Sequence, residues 1–118
     1  MEPGLTFPIT STKRDKIVIL VTGAIVATAA TFDEALKLSL EHVDRSRAEP
    51  GCISHAVFRD TGNPWRLVFF EQWADAAALK AHFVVPASRA FAKAVGALAA
   101  ELPTIQIYNA EVVAPASL

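Results

Sequence analysis

The segment Ile17–Ala27 reads IVILVTGAIVA, with no charged residue in eleven positions. Side chains of an extended chain alternate between two faces. Here Ile17, Ile19, Val21 and Ile25 point one way, and Val18, Leu20, Ala24 and Val26 the other. A strand apolar on both sides must be covered on both sides. The apolar run to Ala30 is about fourteen residues long, too short to span a bilayer, and is rich in β-branched residues. Whatever this chain forms, its sheet has two faces to bury.

The remaining elements follow from local signals. Thr31 and Glu34 have the spacing of a capping box, and Phe32, Leu36, Leu40 and Val43 make one apolar stripe of a helix. Pro50-Gly51 ends that helix. Cys52–Asp60 and Trp65–Trp73 flank the turn TGNP and read as a hairpin. Asp75 is placed to cap a short helix from Ala76 to about Val84. Pro86 breaks this helix and opens a second helical piece reaching Ala100. In that piece Ala87, Phe91, Val95, Leu98 and Leu102 face one way. A last strand covers TIQIYNAEVV, residues 104–113.

The order β-α-β-β-α-β, with short right-handed connections, predicts a ferredoxin-like α+β fold: a four-stranded antiparallel sheet with helices on one face. The expected boundaries are a flexible N-terminal arm at 1–15, the domain at 16–113 and a C-terminal tail at 114–118. The helices leave one apolar sheet face open, so a homodimer through that face is expected. An apolar content of 53% in 118 residues supports one domain with a buried interface. Eleven basic and twelve acidic residues form no basic stripe, which removes the electrostatic footprint of nucleic-acid binding. Cys52 is the lone cysteine, so no intrachain disulfide can form. The N-terminal residues lack the order of a signal peptide. A cytoplasmic protein without membrane attachment is expected.

Several short motifs then align with these elements: Glu49-Pro50-Gly51-Cys52 before the second strand, Glu71-Gln72-Trp73 ending the third, Ala81-His82, and Ser88-Arg89-Ala90-Phe91. In this order the chain resembles the antibiotic biosynthesis monooxygenase domain family, dimeric α+β barrels, over about residues 16–112. The resemblance implies oxidation of a small aromatic, quinol or enolisable molecule by dioxygen without cofactor. A base deprotonates the substrate, and hydrogen bonds hold the oxyanion in an apolar, water-poor pocket. A non-catalytic binding or stress-response module of the same fold, and an isomerase of a small metabolite, are the alternatives, because fold alone does not fix chemistry.

His82 is the expected base. It lies about 60° to one side of Leu79 on the short helix, and an imidazole with an ordinary pKa near ~6.5 serves at neutral pH. An imidazole that merely caps the helix end would read the same. Glu71 and Trp73 share a strand face with Trp65, Leu67 and Phe69. Glu71 is expected either to pair with an arginine or to orient His82 or a substrate hydroxyl, and Trp73 to wall the pocket. Phe69, Phe83 and Phe91 are expected as lining, and Tyr108 as a hydrogen-bond donor to substrate. His55, with Ile53, Val57 and Arg59, would converge on Glu71 and His82 if the two faces meet. Such a trio raises a non-haem iron site, but neither His55 nor His82 stands in an H-x-x-x-H or H-x-D spacing, and no metal is expected. The resemblance disfavours haem as well: the haem-degrading branch of the family places an iron-ligating histidine on the second helix, where RAFAKAV has none, and an asparagine on the first strand, where position 22 is threonine. The five glycines form no nucleotide-binding loop, and no G-x-S-x-G occurs.

Overall fold

The computed structural model describes residues 17–118. The predicted arm at 1–15 lies outside these residues. The elements are β1 (Ile17–Val26), α1 (Phe32–Ser46), β2 (Cys52–Arg59), β3 (Arg66–Trp73), α2 (Ala76–Val84), α3 (Pro86–Leu98) and β4 (Thr104–Glu111). A short 3-10 turn, Pro115–Ser117, occupies the segment expected to be a plain tail. The sheet is fully antiparallel in the order β2-β3-β1-β4. This is the ferredoxin-like arrangement that the element order predicts.

Alternation divides the sheet as the sequence suggests. The helix-covered face carries Ile19, Val21 and Ile25 from β1 and Leu67, Phe69, Glu71 and Trp73 from β3, all of them buried. Helices α1 and α3 close over it, so that Phe32, Ala35 and Val43 meet Ile25, Leu67, Phe69 and Val95. A second cluster under α2 joins Ile19, Val21, Trp73 and Leu79. Full burial of each large side chain contributes roughly 1.5–3 kcal/mol. The opposite face keeps Phe58 and Phe70 exposed, with Tyr108 beside Leu20 in the register.

The face of α1 that packs inward differs from the predicted stripe. Phe32, Ala35, Ser39, His42, Val43 and Ser46 are buried, whereas Leu40 is about half exposed at 52%. Two serines tolerate burial because their hydroxyls donate to the preceding turn: Ser39 Oγ to the Ala35 carbonyl at 2.7 Å and Ser46 Oγ to His42 at 2.6 Å. Thr31 is indeed the N-cap, but the capping box does not form. Its hydroxyl instead donates to the Leu98 carbonyl at 2.8 Å, tying the start of α1 to the end of α3.

Other local readings hold. The Asp75 side chain accepts from the Ala78 N–H at 2.8 Å and caps α2. Val85 is extended and Pro86 opens α3, so one residue turns the chain between the two helices. Asp60 accepts from the Gly62 N–H at 2.7 Å and pairs with Arg66 at 2.9 Å, closing the β2–β3 hairpin. Gly51 sits at φ +81, a left-handed conformation that suits glycine, and returns the chain from α1 to β2. A register shift between Cys52 and Ser54 follows it, leaving Ile53 about half exposed. This bulge removes Ile53 from the face assigned to it with His55.

Candidate active site

Two helices and one strand bring three imidazoles together. His42 comes from the inner face of α1, His55 from the middle of β2 and His82 from α2. Their ring centroids are 5.2 Å (His42–His82), 5.3 Å (His42–His55) and 5.7 Å (His55–His82) apart. All three are buried, at 5%, 1% and 4% exposure. His42 also stacks face to face on Phe91, 4.0 Å between centroids.

The carboxylates are distributed differently from expectation. His82 Nδ1 lies 2.8 Å from Glu49 Oε1, in the turn after α1, and this is the contact that orients the ring. Glu71 does not hold His82. It accepts from the Trp73 indole N–H at 2.9 Å and stands 3.4 Å from His55 Nε2, its register partner across the hairpin. The arginine partner considered for Glu71 is thus replaced by an indole and an imidazole. Burial alone would raise the Glu71 carboxyl. The hydrogen bond and charge of His55, the Trp73 indole and the charge of His82 outweigh it, and the acid is held below its usual range. His42 moves to about 3, through burial first and then the neighbouring His55 and His82, so its ring is neutral at physiological pH.

Beside this cluster is a cavity of about 290 Å³, walled by Phe69, Phe83 and Phe91 and entered by His42, His82 and Glu71. The size suits one small ring system, and a few polar groups among aromatic walls are usual for a ligand pocket. Of the predicted lining, Phe69, Phe83 and Phe91 are present. Phe83 is 40% exposed, so the inward pair on α2 is Leu79 and His82, with Phe83 at the side. Trp73 and His55 lie behind the wall: the indole packs 4.6 Å from the His82 ring and edge-on to His55. Tyr108 belongs to the open face of the sheet, exposed and donating to Gln106 at 2.7 Å, away from the cavity.

Sequence reasoning did not single out His42 or give a role to Glu49. His42 hides in a row of Phe32, Ala35, Ser39, His42 and Ser46, whose 3–4 spacing is helical but whose polar members suggest solvent. That spacing was the available signal. Glu49 was visible as part of a motif, without any indication of which side chain it would meet.

A small antiparallel α+β fold with a buried polar cluster opening on an apolar cavity defines the class. A profile of the antibiotic biosynthesis monooxygenase family matches residues 19–94, and the chain belongs to that family. It is 36% identical over 91 residues to the uncharacterized protein sll1783 of Synechocystis sp. PCC 6803. That match covers 77% of this chain but 62% of the relative, so the chain spans less than two thirds of that protein. Among solved structures, an antibiotic biosynthesis monooxygenase superposes with a TM-score of 0.74 at 27% identity, covering 78% of this chain and 97% of the other. Rv0793 from Mycobacterium tuberculosis shares the fold, with a TM-score of 0.77 at 21% identity over 82% of this chain and 98% of its own. No helix among the described residues is long and apolar enough to cross a membrane.

Proposed function

We propose that this protein is a monooxygenase that takes one small aromatic, quinol or enolisable molecule into the cavity and oxidises it with dioxygen, without a cofactor. The observation that carries the reading is the His82–Glu49 pair at 2.8 Å on the rim of an aromatic cavity. Glu49 fixes the Nδ1 side of the ring and leaves Nε2 for the substrate. In the proposed reaction Nε2 accepts the acidic substrate proton, and Glu49 stabilises the imidazolium formed. The substrate anion passes one electron to dioxygen, and the resulting radical and superoxide join through a C–O bond. The peroxide takes back a proton and loses water, so one oxygen atom stays in the product and the other leaves as water. The apolar walls keep solvent from quenching the anion. Glu71, His42, Trp73 and His55 position the cluster in this scheme.

The same proposal includes a homodimer. Phe58 and Phe70, at 58% and 40% exposure, lie on the uncovered sheet face with Leu20 and Tyr108 nearby, and a second copy would cover them. The lone Cys52 fits a reducing cytoplasm.

Oxygen uptake with a panel of quinols and anthrones tests the reaction. Uptake matched by product formation, and lost in His82→Gln, is expected. Binding without oxygen uptake would favour a binding module, and turnover under anaerobic conditions an isomerase. Full activity in His82→Gln removes that residue from the mechanism.

A further inference from the structure

We propose that His42, His55 and His82 form a binding site for one divalent first-row transition-metal ion that prefers nitrogen ligands, of the zinc or cobalt type. Each residue offers one ring nitrogen, and these atoms lie within 4.8 Å of one another. Spacing of the rings is the first argument. With metal–nitrogen bonds of roughly 2.0–2.1 Å, three imidazoles at tetrahedral angles have centroids about 5 Å apart. The centroid distances of 5.2, 5.3 and 5.7 Å already approach that. Tetrahedral donors are about 3.3 Å apart, so the nitrogens must close in. Rotation of the rings about the soft outer side-chain torsion is the motion by which an ion would draw them together.

Unsatisfied polarity is the second argument. Among the described residues, His42 Nδ1 and His55 Nδ1 are buried without a hydrogen-bond partner, and His55 Nε2 has only its 3.4 Å approach to Glu71. A buried polar atom left without a partner is destabilising, so aromatic packing alone is a poor reason for placing histidine at these positions. A ligated ion gives these lone pairs a purpose.

The surroundings complete the argument. Glu49 on His82 Nδ1 leaves Nε2 to face an ion, the carboxylate–histidine pairing that orients metal ligands. Arg47 Nε donates to the His55 backbone carbonyl at 2.8 Å, anchoring the strand without approaching the ring through its own hydrogen bond. Glu71 Oε1, 3.4 Å from His55 Nε2, supplies negative charge beside the site. His42 and His82 line the cavity, so a fourth coordination position would open there, accessible to water or a small anion.

This inference goes beyond the oxygenase reading and does not depend on it. A bound ion would occupy the His82 nitrogen that the oxygenase reading gives to proton transfer, so metal-loaded and metal-free protein are different states of one cluster. The test therefore uses no substrate. Full-length protein stripped with chelator is titrated with Zn²⁺ by calorimetry and with Co²⁺ by visible absorption, alongside thermal melts. Expected are about one ion per chain, a four-coordinate cobalt spectrum and a higher melting temperature with Zn²⁺. His42→Phe, which can retain the stack on Phe91, should weaken binding at least about 100-fold, and Glu49→Gln about 10- to 100-fold. Melts of the metal-free variants show whether they are folded. Absence of binding, or binding unchanged in folded His42→Phe, overturns the proposal. Retained oxygenase activity in stripped protein would leave the metal result standing, so the two readings fail separately.

Discussion

Glu49 and His82 are thirty-three residues apart in sequence, and their side chains meet at 2.8 Å, Oε1 to Nδ1. The pairing depends on the turn after α1 and the register of α2 against β3. It gives the His82 ring one fixed face and one free face. Under the proposed oxygenase reaction, Glu49→Gln keeps an acceptor near Nδ1 but loses the charge that balances the imidazolium. Turnover should fall about 10- to 100-fold with little change in KM, and Glu49→Ala should lose more. Steady-state oxygen uptake separates the two parameters. A KM effect alone would mean that Glu49 only shapes the cavity.

Gly51 holds the turn that presents Glu49. Its φ is +81, and a Cβ there would collide with the Ala78 side chain at the start of α2. Its carbonyl also accepts from the Ala74 N–H at 2.8 Å. Gly51→Ala therefore meets backbone strain and a clash together, for which about 2–3 kcal/mol is expected. In a domain of this size that corresponds to a fall in melting temperature of roughly 6–15 °C. Thermal denaturation by circular dichroism checks this, and a shift below about 2 °C would show that α2 gives way easily.

The fold was readable because its signals are local and mutually consistent. β1 declares a doubly buried strand, TGNP a hairpin, and Asp75 and Pro86 the bounds of α2, and together these leave few topologies. The site was only partly readable. His82 and the phenylalanine walls follow from helical and strand faces, and Glu71 from strand alternation. Glu49 meeting His82 is a tertiary coincidence of two turns, with no periodicity to betray it. His42 was obscured because Ser39 and Ser46 satisfy their hydroxyls within α1, making a buried face look like a wet one. Leu40, the hydrophobe that seemed to mark the inner face, points to solvent. Tyr108 was misplaced because strand parity sets its face, and β4 runs in register with Leu20 rather than Val21 opposite it.

The open sheet face gives a test of the proposed dimer. Phe70 pairs with Thr22 and Ala56 in the register, at the centre of that face. A lysine there would place a charge in the middle of an apolar contact while remaining solvated in a monomer. Phe70→Lys should shift the mass in solution from dimer to monomer at micromolar concentration without loss of helical content. Light scattering after gel filtration measures it. A native protein that is already monomeric at high concentration would refute the sheet-to-sheet dimer.

Cys52 reports the charge of the site from outside the cavity. Its thiol is pushed above the usual value of 9.0, by burial first and then by the negative charges of Glu71 and Glu49, against a partial offset from Arg47. The folded protein thus holds the thiol proton more tightly than the unfolded chain does. The associated stability is complete below the ordinary thiol pKa and is lost as pH rises through the higher folded value. Two outcomes follow. Alkylation by iodoacetamide at pH 8 should be slower than for a small free thiol, because the thiolate is the nucleophile. Stability should decline above pH 9.0 in the native protein and less so in Cys52→Ser. Glu71→Gln should then speed alkylation at fixed pH if it leaves the fold intact, since it removes one of the charges opposing the thiolate. A rate equal to that of the free thiol, or insensitive to Glu71→Gln in folded protein, would show that the field of the carboxylate pair does not reach β2.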